Sequence, residues 1–113
     1  MENSNRPIRF RAWDKEGKKM YPVLGISFRN GIVDIGREDS NKVDVELMQF
    51  TGLLDSKGVE IYEGDIVRGE AGNIDSIVSK EGAFCWGNMT LRDYYVGNWK
   101  VIGNVWENHN LLK

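Results

Sequence analysis

A chain of 113 residues, 41% of them hydrophobic, is long enough to pack one domain and too short for two. Its one cysteine, Cys85, excludes an internal disulfide, and with the one histidine, His109, excludes a Cys/His zinc site within a single chain. The formal net charge of −2 decides nothing by itself, but a pI of about 5.4 is well below that of a typical nucleic-acid binder, and no apolar run approaches the roughly 20 residues of a membrane span.

Thirteen glycines against two prolines suit a fold with many tight turns, because glycine supplies the positive φ that hairpin turns need. The first seven residues are polar and lack the apolar stretch of a signal peptide. With a lone thiol, this predicts a reducing cytoplasm as the setting. The first strand signal is Ile8-Arg9-Phe10-Arg11-Ala12-Trp13, which alternates with period two. Ile8, Phe10 and Ala12 fall on one face and Arg9, Arg11 and Trp13 on the other. Asp14 to Lys18 reads as a turn, and Lys19-Met20-Tyr21 returns to complete a hairpin. Leu24–Phe28 and Ile32–Gly36 flank Asn30-Gly31, the favoured pair for a two-residue hairpin turn. That turn sets Arg29 opposite Ile32, Phe28 opposite Val33 and Ile26 opposite Ile35.

Arg37–Asp44 is polar and charged, and predicts a surface loop, with a short helix as the alternative. Strand character resumes over Val45–Leu54. Asp55-Ser56-Lys57-Gly58 closes a turn, Val59–Tyr62 returns, Glu63-Gly64-Asp65 bends, and Ile66-Val67-Arg68 opens a new strand. Ile74–Lys80 and Ala83–Trp86 are joined by Glu81-Gly82. Met89–Tyr95 predicts a helical turn or an irregular crossover. Trp99–Trp106 is the last strand, with Trp99, Val101, Gly103 and Val105 on one face, and Leu111-Leu112 are expected to dock back on the body.

Short strands separated by turn signals predict a mainly β protein with minor α content. The expected layout is one domain over 1–113. N-terminal hairpins occupy 7–64, and a small barrel of Src-homology-like type occupies 65–113.

Three blocks together resemble the YopX family of bacteriophage and prophage proteins. The first is Ile8-Arg9-Phe10-Arg11-Ala12-Trp13-Asp14 followed by Lys19-Met20. The second is Leu47-Met48-Gln49-Phe50-Thr51-Gly52-Leu53, then Asp55 and Gly58, then Ile61-Tyr62-Glu63-Gly64-Asp65-Ile66-Val67. The third is Val101-Ile102-Gly103-Asn104-Val105 with Glu107-Asn108 and Leu111-Leu112. His109 stands where the family often has proline. The resemblance implies a phage or prophage origin in a bacterial cytoplasm, a β-rich fold and self-association. It carries no established chemistry, so no catalytic residue and no cofactor are transferred from it. Its signature residues (Asp14, Gln49, Thr51, Gly52, Asp55, Gly58, Tyr62, Glu63, Gly64, Asp65, Gly103 and Asn104) also have a plain reading. The glycines sit at turns, Thr51 and Asp55 bond turn backbone, and Phe50, Ile61, Ile66 and Val67 are core.

Other constellations compete with that reading. Asp14, Glu63, Asp65 and Glu107, if gathered, could hold Mg²⁺ or act as an acid–base pair, but no spacing matches a metal loop. Arg9, Arg11, Lys15, Lys18 and Lys19 beside Trp13 could bind single-stranded nucleic acid by phosphate pairing and stacking. The alternative is that these side chains cover Trp13 and pair with the acidic stretch of residues 30–70. Cys85 lies in an apolar strand, where cysteine packs as a small hydrophobe rather than reacting with His109. The expected partners are therefore further copies of the chain and phage or host proteins, with nucleic acid as the rival and no membrane.

Overall fold

The computed structural model describes residues 7–36, 41–42, 45–91 and 98–112. It is mainly β, as the turn spacing predicts. Two compact units divide the chain, one formed by Ile8–Gln49 and the other chiefly by Phe50–Lys113. The division falls inside one strand, at Gln49/Phe50. Beyond it, Val101 N–H donating to Asp55 and Ser56 N–H donating to the Trp99 carbonyl tie the segment before residue 64 to residues after it.

In the Ile8–Gln49 unit, β1 (Phe10–Asp14) is antiparallel to β2 (Lys19–Pro22), with Trp13 opposite Met20 and Asp14 opposite Lys19. The turn between them is closed by Lys18 N–H donating to the Asp14 carbonyl at 2.7 Å. The Asp14 carboxylate accepts from Glu16 N–H at 3.1 Å. On its other side β1 pairs with the first half of β6 (Val45–Leu54), Phe10 opposite Gln49 and Asp14 opposite Val45. β3 (Gly25–Ser27), β4 (Ile32–Asp34) and β5 (Asn41–Lys42) make a second small sheet. Ala12, Val33 and Ile35 form the buried centre, with Tyr21, Val23 and Val45 packed on them.

The β3–β4 register differs from the expected one. Ile26 pairs with Val33 and Ser27 with Ile32, so the loop has four residues, Phe28 to Gly31. A two-residue type I′ turn needs φ > 0 at both positions. Here Gly31 has φ +68° and Asn30 is not among the residues with positive φ. Gly31 N–H instead donates to the Ser27 carbonyl at 2.7 Å, closing one helical turn. Phe28 thereby leaves the ribbon and stands 87% exposed at its tip. The expected loop at 37–44 contains a strand at Asn41–Lys42, which pairs with Asp34 and Val33. Residues 37–40 and 43–44 lie outside the described residues, as do 92–95 of the crossover expected at 89–95, whose first two residues, Met89–Thr90, form a strand.

The second unit starts with the latter half of β6, which pairs with β7 (Glu60–Tyr62). It continues with β8 (Asp65–Arg68), β9 (Ile74–Lys80), β10 (Ala83–Trp86), β11 (Met89–Thr90) and β12 (Lys100–Asn104). A short 3-10 helix, His109–Leu112, follows and packs on β9 with Leu111 and Leu112 half-buried, as expected. The five strands run in the order β11-β10-β9-β8-β12 and curl into half a barrel. Resemblance to a Src-homology barrel finds no support beyond that curl. β8 is central and buried on both faces, which is why Ile66 and Val67 are adjacent in sequence and both 0% exposed. Ile61, Val67, Ile77, Leu91 and Trp99 form the core. Each aliphatic side chain buried there contributes roughly 1.5–3 kcal/mol before the cost of ordering the chain.

β9 and β10 occupy the ranges predicted for them, and the Glu81-Gly82 loop between them is the true two-residue hairpin. Lys80 is opposite Ala83, and φ is +52° at Glu81 and +83° at Gly82. The last strand is not a simple alternation. Val101 pairs with Val67 and Gly103 with Ile66, so Ile102 is an extra residue in a bulge. No helix among the described residues is long and apolar enough to cross a membrane.

Candidate functional site

Thr51, Asp55, Asp65 and Asn104, from the second and third blocks, lie within the Phe50–Lys113 unit, where their side chains bind backbone. Asp55, 6% exposed, sits at the end of β6. One carboxylate oxygen accepts from Lys57 N–H at 2.8 Å and Val59 N–H at 2.9 Å, holding its own turn. The other accepts from Val101 N–H at 2.9 Å, which ties the turn to β12, 46 residues away in sequence. Burial pushes this carboxyl up. The three N–H bonds and the nearby Lys100 charge outweigh burial and hold it below its ordinary value. Gly58 N–H donates to the Asp55 carbonyl at 3.0 Å and closes the turn as expected.

Thr51 serves a different break in the ladder. Between Phe50 and Leu54 the β6–β7 register slips. The Thr51 hydroxyl donates to the Ile61 carbonyl at 2.7 Å and accepts from Leu53 N–H at 3.2 Å, satisfying backbone groups that the slip would orphan. Gly52, Gly58 and Gly64 all take positive φ (+91°, +81° and +88°). Gln49 is half-buried on β6 opposite Phe10. Tyr62 lays its ring at 5.6 Å from that of Phe50, and its hydroxyl donates to Glu60 at 3.2 Å. Glu63 is half-buried beside it. Asp65, 2% exposed, accepts from Tyr62 N–H at 2.7 Å across the Glu63-Gly64 bend.

The third block closes the same bend from the other side. Asn104 is opposite Asp65, and Val105 N–H donates to the Gly64 carbonyl at 2.8 Å. The Asn104 side-chain oxygen accepts from Trp106 N–H at 3.0 Å and Glu107 N–H at 2.9 Å, while its amide donates to the Glu107 carboxylate at 2.8 Å. Asn108 then accepts from Asn104 N–H at 3.1 Å. Gly103 is required for that approach: a Cβ there would lie 2.5 Å from the Asn108 side-chain oxygen. Glu107, a candidate metal ligand on sequence grounds, is thus part of a turn.

Asp14 belongs to the first block and caps the β1–β2 turn, 7% exposed. Among the described residues no group of three or more His, Cys, Asp or Glu is placed to hold a metal ion. Of the basic hairpin, Arg9, Lys15, Lys18 and Lys19 are exposed and Arg11 is half-buried. Trp13 is 6% exposed, so its ring is not offered to a base. Lys15 lies 3.3 Å from Glu46, an ion pair with the acidic stretch of the kind the sequence suggested. Cys85 is buried in β10 with its thiol 3.9 Å from the Ala83 carbonyl, and His109 is exposed.

One concave surface was not anticipated. A cavity of about 440 Å³ opens beside the β8–β9 turn, lined by Glu70, Asn73, Met89 and the Trp86–Trp99 pair. The two indole rings are tilted by 43° with centroids 4.5 Å apart, and Trp86 N–H donates to the Val67 carbonyl at 3.1 Å. Gly69 leaves room for the Trp86 ring, which a Cβ would meet at 3.0 Å. The tryptophans were visible in the sequence as core or interface residues, but nothing local marks Gly69 as their neighbour.

Residues 9–113 match the profile of the family described as YopX protein. The chain belongs to the YopX family. A solved structure, that of protein EF1440 from Enterococcus faecalis, is similar to this YopX chain at a TM-score of 0.74 and 29% sequence identity. The match covers 95% of this chain and 99% of that one. No match is found among the curated proteins.

Proposed function

We propose that this YopX-family protein is a non-enzymatic, self-associating interaction protein, encoded by phage or prophage and working in the bacterial cytoplasm. The observation that carries the reading is the commitment of Thr51, Asp55 and Asn104 to their own backbone. Side chains whose oxygens are already bonded to N–H groups serve scaffolding, and contact then falls to the outer surface. That surface supplies what association needs. Phe28, Leu24 and Leu54 are at least half exposed. The basic first 29 residues and the acidic stretch of residues 30–70 can pair between copies.

Light scattering over a wide concentration range tests this. The reading expects a mass above the 12.9 kDa of one chain that rises with concentration. One-chain mass throughout contradicts it. The rival reading is nucleic-acid binding through the exposed Arg9, Lys18 and Lys19. It keeps phosphate pairing but has lost the Trp13 stacking surface. Fluorescence anisotropy of a labelled single strand, rising at low salt and lost at high salt, would favour it over self-association.

A further inference from the structure

Two surface features of this chain, one in each unit, match each other chemically. The first is a knob. Phe28 stands 87% exposed at the tip of the β3–β4 loop, followed by exposed Arg29. A closed turn carries this tip: Gly31 N–H donates to the Ser27 carbonyl at 2.7 Å. Asn30 N–H also reaches the Ser27 hydroxyl, at 3.4 Å. The second feature is the cavity of about 440 Å³ beside the Trp86–Trp99 pair, with Glu70 at its edge. Its size lies in the range of about 300–1,000 Å³ that receives small organic groups.

We propose that Phe28 of one copy seats in the Trp86–Trp99 cavity of a second copy, with Arg29 facing Glu70. This rests on the self-association reading and names its contact surface. Three arguments select a second copy as the occupant. An aromatic ring finds a preferred tilted or offset partner in the half-buried Trp86 indole, which Trp99 backs from the core. Met89, 48% exposed at the rim, has the unbranched, adaptable side chain that closes around a ring. The charges are also complementary: the Arg29 guanidinium and the Glu70 carboxylate make no ion pair with any described residue of their own chain.

Sedimentation velocity on the full chain and four variants decides the matter. Phe28→Ser lies in an exposed loop and leaves the fold intact, which circular dichroism checks. It weakens association about tenfold or more. Arg29→Glu and Glu70→Arg each weaken it alone. The double variant Arg29→Glu/Glu70→Arg restores it, and so does mixing the two single variants, since each then supplies the complement the other lacks. If the unaltered chain associates but Phe28→Ser sediments like it, this contact is wrong while self-association stands. If Phe28→Ser weakens association but the charge swap rescues nothing, the tip docks elsewhere and the cavity assignment fails. If the unaltered chain is a monomer throughout, the self-association reading fails and this contact with it.

Discussion

Asp55 accepts three backbone N–H bonds, one of them from Val101 on a distant strand. Each is charge-assisted only while the carboxyl is ionised. Because the folded state holds this carboxyl below its ordinary value, its contribution to stability is complete above the unfolded pKa. The contribution is lost as pH falls from about 4 through the folded value. Asp55→Asn keeps the shape but sets an amide N–H against one of the donors. It should cost about 2 kcal/mol at neutral pH and flatten the acid dependence of stability. Urea denaturation at pH 7 and at acid pH checks both parts. A sequence reading can place Asp55 at a turn and suggest that it bonds turn backbone. It cannot find Val101, because nothing local encodes a partner 46 positions away.

At the scale of elements, the strands most legible in the sequence were those bounded by strong turn residues. β6, β9 and β10 fall where the pattern put them, and Glu81-Gly82 makes the turn expected of a two-residue loop. Asn30-Gly31 misled for a physical reason. Sliding the β3–β4 pairing by two residues keeps every side chain on its face, so alternation cannot distinguish a two-residue loop from a four-residue one. Breaks in a ladder are equally silent, since period-two reasoning assumes none; the extra residue Ile102 and the slip after Phe50 are both of this kind. Thr51 is what makes the second break tolerable. Thr51→Val preserves volume and removes both hydroxyl bonds, leaving the Ile61 carbonyl and Leu53 N–H without this partner. We expect a loss of about 1–3 kcal/mol, seen as a lower urea midpoint with unchanged slope.

At the scale of the whole molecule, the family resemblance identified the signature residues, and the structure explains why those of the second and third blocks are polar. They hold bends and strand ends that the β ladder leaves open: Asp55 to β12, Gly64 to Val105, and Asn104 to the segment that follows it. The division inside β6 was not legible, because a ten-residue strand gives no sign that its halves belong to different compact units. The Trp86–Trp99 cavity was hidden for a similar reason, since its walls come from three separated stretches. The central claim is that the signature carboxylate and amide residues hold the backbone. Native-state amide hydrogen exchange tests it most directly. The account predicts that Val59 and Val101, whose N–H groups bond Asp55, exchange as slowly as the core amides of β8, while the Phe28–Asn30 tip exchanges fast. Val59 and Val101 exchanging as fast as that tip would contradict it.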